Sequence, residues 1–177
     1  MFYLQGGFLM PASIDILIDD CRWKADQLTA LCDRAFGAVF ADQGISGKGY
    51  EISVMACDDG RIAQLNGDFR SKPTATNVLS WPAYELFPSV PGEPPALLTD
   101  VTSNSMNIEL GDIAISFDSC QREARAVQIA FDDHVIHLLI HSCLHLLGYG
   151  HENDADAARM ESLETRLLET LGISDPY

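Results

Sequence analysis

The segment FDDHVIHLLIHSCLHLLGYGH, residues 131–151, decides how this chain folds, because a long apolar helix runs into a histidine-bearing turn within it. Over 131–147, Val135, Ile136, Leu138, Leu139, Ile140, Leu144 and Leu146 wrap most of a helical circumference. A helix that is apolar all round is a buried one, so this helix is expected at the centre of the molecule. His134, His137, His141 and His145 interrupt it, and at about 100° per residue they fall on one stripe. His141 and His145 project from the same face about one turn apart. Gly148 can take a positive φ and stop the helix, so the chain can turn back and bring His151 to the same place.

Three neutral imidazoles are a ligand set for one Zn²⁺ ion per chain. They leave a fourth tetrahedral position for water, whose pKa falls to about 7 in such sites. That chemistry belongs to a hydrolase. On spacing alone His137 competes as a ligand, since it lies one turn before His141. The set His141, His145 and His151 is preferred because only it includes a residue carried on a separate turn, which lets three nitrogens converge. His134 and His137 are expected beside the ligands or lining the cleft. Nickel, copper and iron also accept imidazole. Cys143 points away from both helical ligands and reads as core. Five cysteines with no CxxC pair fit reduced thiols in a cytosolic protein.

With 177 residues and 47% hydrophobic content, the chain can bury one substantial core. Residues 13–177 are expected to form a single metal-dependent hydrolase domain, with residues 1–12 a flexible N-terminal extension. The first residues carry no basic stretch, and no apolar run approaches the ~18 residues of a membrane span. A cytoplasmic protein without membrane contact is expected. The net charge of −15 argues against a general nucleic-acid-coating protein. It leaves room for a local cationic cleft, because charges beyond a Debye length of about 8 Å are largely screened. Lys48, Arg61, Arg70 and Lys72 lie close together in sequence and are candidates for it.

Outward from the central helix, SIDILIDD (13–20) alternates as a strand, and residues 22–40 carry apolar groups at helical spacing. YEISVMAC (50–57) is a second strand, followed by a short helix that starts at Asp58–Gly60 and runs through Ile62, Leu65 and Asn66. NVLSWPA is a third strand that stops at Pro82, and ELGDIAIS (109–116) is a fourth. Ser116 or Asp118 is expected to cap a helix through Glu123 and Val127. Residues 154–171 form an amphipathic last helix that Gly172 ends. Residues 83–109, with four prolines and no Lys or Arg, are expected to form either a flexible flap near the cleft, the favoured reading, or an inert insertion. The sum is an α+β domain: a small mixed sheet of about four strands packed with about five helices.

Three ordered motifs, NGDFRSKPTATNVLSWP (66–82), LGDIAIS (110–116) and HSCLHLLGYGH (141–151), resemble those of the YbeY endoribonucleases, whose forms are NxxFRxKxxxTDVLSFP and HGxLHLxGYDH for the first and last. The likeness spans residues 13–171. It implies a single-strand-specific, metal-dependent endoribonuclease acting in ribosomal RNA maturation, at the 16S rRNA 3′ end, and in ribosome quality control. It implies zinc on His141, His145 and His151, and it matches Arg70 to the family's catalytic arginine. Ribosomal RNA, small-subunit proteins and an assembly GTPase are the implied partners. The chemistry agrees, since an arginine fork suits the charge that builds on phosphate oxygens during hydrolysis. Ser142, Gly150, Asn77 and Trp81 depart from the family forms, and Gly150 removes a carboxylate that could have oriented His151. Thr76 and Asn77 are expected to serve the turn into the third strand, with Ser80 a cleft candidate and Asp112 a support for a histidine or a backbone amide.

Two rival classes share the histidines. A metzincin-like zinc peptidase needs HExxHxxGxxH, and here Ser142 stands where its glutamate base belongs. A non-catalytic ribosome assembly factor would hold a structural metal, normally closed by four protein ligands, whereas this pattern offers three.

Overall fold

A computed structural model describes residues 12–96 and 108–174. All but Ala12 of the expected N-terminal extension lies outside them, and Ala12 itself is packed into the core. The elements follow the order β1 (Ser13–Ile18), α1 (Ala25–Asp42), β2 (Tyr50–Cys57), α2 (Asp59–Arg70), β3 (Val78–Pro82), β4 (Ile108–Ser116), α3 (Phe117–Ala126), α4 (Phe131–Leu146) and α5 (Asp154–Thr170). The strands lie in the order β1-β2-β4-β3, with β1, β2 and β4 parallel and β3 antiparallel to β4. The expected α+β class, with a mixed four-stranded sheet and five helices among the described residues, is what the chain adopts.

Side-chain alternation divides the sheet. Ile52, Val54, Ile113 and Ile115 are fully buried and join α1 and α4 in the main core. Asp15, Leu17, Ser53, Met55, Trp81 and Asp112 share the other face and line an open groove beside α2. Asp112 is therefore exposed on the face away from the histidines. The expectation that it supports a histidine is corrected by strand parity, since a one-residue step reverses the side. Its neighbour Gly111 has a geometric duty. It sits at the β2–β4 register shift with φ 138°, and a Cβ there would lie 2.1 Å from the Trp81 carbonyl oxygen. Only glycine fits that bulge.

The central helix is as buried as its sequence requires: Val135, Ile136, Leu139, Ile140, Cys143, Leu144 and Leu146 are all inaccessible. All five cysteines are free, and burial pushes the Cys32 and Cys57 thiols up to about 12. The α3 cap differs from expectation. Ser116 occupies the N-cap position, but its hydroxyl donates to Asp59 Oδ1 at 2.6 Å, and Asp118 pairs with Arg22. A half-buried tertiary acceptor has outcompeted the local backbone.

Candidate metal centre and cleft

The three histidines converge. His141 and His145 leave the last turns of α4, and Gly148, with φ 87°, reverses the chain so that His151 meets them. One ring nitrogen from each lies within 4.8 Å of the others. Gly148 does more than permit a turn, for a Cβ there would lie 2.5 Å from Leu86 Cβ, so the 83–96 segment packs directly on it.

Hydrogen bonds orient two of the rings. His145 Nδ1 is 2.9 Å from the Tyr149 carbonyl oxygen, which can only accept, so the Nδ1 proton is placed there and the lone pair left on Nε2. His141 Nδ1 is 2.8 Å from Glu164 Oε1, which sets the same tautomer. The two Nε2 atoms then face each other at 3.0 Å. Two lone pairs at that separation repel unless a proton or a metal ion lies against both. Burial first, and the neighbouring His141 second, push the His145 pKa down to about 4, which keeps this imidazole neutral at pH 7. Two tautomer-fixed imidazoles with the His151 ring beside them are a donor set that fits a divalent cation such as zinc.

Glu164 is the site residue that sequence reasoning missed. It is 1% exposed, accepts from His141 with one carboxylate oxygen, and lies 2.9 Å from His137 Nε2 through the other. It belongs to α5, twenty-odd residues from the histidines. Only its position on the apolar stripe between Met160, Leu163, Leu167 and Leu168 hinted at burial. His137 thus sits behind the three-histidine cluster, on the same carboxylate that holds His141. His134 is also buried, with Nε2 2.9 Å from Glu123 Oε2, an oxygen that Asn77 Nδ2 reaches too. Neither histidine lines the cleft.

The cleft holding the cluster has a volume of about 580 Å³ and is also lined by Arg70, Lys72, Ser80, Phe87 and Glu152. Arg70 ends α2, and Ser71 takes a left-handed conformation with φ 57°, bonding Gly67 O at 3.0 Å. That reversal sends Arg70 and Lys72 to the same cavity. The loop beyond is pinned by Asn66, whose Nδ2 donates to Thr74 O at 2.9 Å, and Gly67 leaves room for Pro73. Asn77 accepts from the Val78 amide at 2.7 Å, the turn role expected of it, while Ser80 faces the cleft. Lys48 lies in a separate cavity and Arg61 bonds Gln64, so the expected cationic cleft has two of its four candidates. Ser142 is fully buried, and its hydroxyl has no hydrogen-bond partner.

Fold and cleft together define a class: a small α+β domain with a metal-ready histidine cluster at the end of its central helix, facing cationic groups. The family model for endoribonuclease YbeY matches residues 14–172, and the chain belongs to that family. A Dinoroseobacter shibae protein named endoribonuclease YbeY is 48% identical over 94% of this chain and 91% of its own length. A Ruegeria pomeroyi protein of the same name is 50% identical over 93% and 98%. The solution structure of a Thermotoga maritima protein superimposes with a TM-score of 0.53 at 20% identity, covering 92% of this chain and 97% of that one, which speaks for the fold.

Proposed function

We propose that residues 13–177 form a single cytoplasmic metal-dependent endoribonuclease domain that cuts single-stranded RNA, acting on ribosomal RNA at the 16S 3′ end and in ribosome quality control. The observation that carries this reading is the meeting of three imidazoles with Arg70 and Lys72 in one cleft. His141, His145 and His151 hold one zinc ion. When bound, such an ion supplies Lewis-acid stabilisation of phosphate charge and lowers the pKa of water.

This chain's own groups do the rest. The Arg70 guanidinium binds the non-bridging phosphate oxygens as a fork, most strongly as their charge grows. Lys72 adds a point charge that draws the backbone in. Ribosomal RNA, small-subunit proteins and an assembly GTPase are the proposed partners. A peptidase is disfavoured because Ser142, in the place of that class's general base, is buried in the helix.

The test pairs metal analysis with cleavage of single-stranded RNA, structured RNA and a peptide. His145→Ala is expected to lose stoichiometric zinc and RNA cleavage together. Arg70→Ala is expected to keep metal and fold yet lose about 10²- to 10³-fold in kcat. Full cleavage by metal-free protein would overturn the reading, and stoichiometric metal without cleavage would favour the assembly-factor alternative.

A further inference from the structure

We propose that Phe87 is a stacking platform for an unpaired nucleobase next to the phosphate held by Arg70, on a seat that Gly150 keeps open. The inference rests on the endoribonuclease reading and adds a base-binding subsite to it. Phe87 is 51% exposed, an unfavourable state for a phenyl ring, yet it lines the cleft that contains the histidine cluster, Arg70 and Lys72. A cationic groove with an aromatic face beside it is the arrangement by which single-stranded nucleic acid is bound. The cations follow the backbone, and the ring takes a base, every one of which has a π-face.

The ring is held in place. Leu86, its neighbour, is fully buried, and the Ala96 amide bonds Leu86 O at 2.9 Å. Gly92 N donates to Asp156 Oδ1 at 2.6 Å, and Arg159 donates to Gly92 O, tying the segment to α5. Phe87 rests against Gly150, where a Cβ would come within 3.2 Å of its Cε1 atom. Gly150 stands where the family form has aspartate. A side chain there would press on the ring. Glycine thus gives up support for His151 and gains an aromatic wall in the cleft.

The experiment uses the zinc-loaded full chain and a short single-stranded RNA in which one abasic nucleotide is moved along the sequence. Phe87→Ala is expected to raise KM about tenfold. It should leave kcat within about twofold, because a contact made equally in ground and transition states changes binding alone. One abasic position should abolish the difference between the two proteins. Phe87→Trp is expected to retain KM and to show fluorescence quenching by RNA in stopped flow before turnover, beyond that of the unsubstituted protein with Trp23 and Trp81. An unchanged KM in Phe87→Ala together with no added quenching in Phe87→Trp overturns the subsite, even where cleavage is normal. Quenching in Phe87→Trp by a protein that cuts no RNA would uphold the subsite and remove the nuclease reading instead.

Discussion

A carboxylate with 1% exposure survives in a protein only if donors answer both of its oxygens, and Glu164 is answered by His137 Nε2 and His141 Nδ1. The consequence reaches the proposed metal site, because fixing the Nδ1 proton of His141 is what leaves its Nε2 lone pair free. Glu164→Gln tests this with almost no change in volume. An amide NH₂ facing His141 Nδ1 would favour the opposite tautomer and put a proton on the nitrogen that should bind metal. Zinc affinity, measured by competition with a chromophoric chelator, is expected to fall about 10- to 100-fold with the fold intact. Equal affinity would show that the carboxylate's charge does not set the His141 tautomer, because a Gln carbonyl oxygen can accept from Nδ1 in its place.

Among the elements, the segment after β3 departs most from its sequence. Its prolines and lack of basic residues read as a mobile flap, yet the described part, 83–96, is strapped to α5 and packed on Gly148. What anchors it is a backbone amide at Gly92 meeting Asp156, a long-range pairing without local signature. Asp156→Ala combined with Arg159→Ala removes both ties to Gly92, while Asn153 still caps α5. The expected result is faster cleavage at the exposed residues 89–91 in limited proteolysis, with a stability loss of only about 1 kcal/mol. An unchanged digestion pattern would mean the strap holds nothing. The contrast with α4 shows what sequence makes legible. Hydrophobic periodicity and ligand spacing are local, so the central helix, the Gly148 turn and the histidine trio were readable, as was the strand set. Glu164 and the diversion of Ser116 to Asp59 depend on partners far along the chain. No window of residues contains them.

At the scale of the whole molecule, the chain carries a net charge of −15 and the proposed reading asks it to bind a polyanion. The cleft answers with Arg70 and Lys72, because Lys48 lies elsewhere and Arg61 is engaged with Gln64. Two phosphate contacts on a single strand predict that the logarithm of affinity falls against the logarithm of salt with a slope of about −1.4. Below roughly 0.05 M salt the screening length grows toward 30 Å, and surface carboxylates then repel the approaching RNA as strongly as the cleft draws it. Affinity is therefore expected to flatten or turn over in dilute buffer, where an ordinary basic RNA-binding protein keeps tightening. The measurement is the KM for a short single-stranded RNA from about 0.02 to 0.3 M potassium chloride, a range that spans both regimes. A linear plot with a slope of about −4 or steeper would require about six or more cations on the phosphates. That outcome would move the RNA interface off this cleft, since among the described residues its lining supplies only two Lys or Arg side chains.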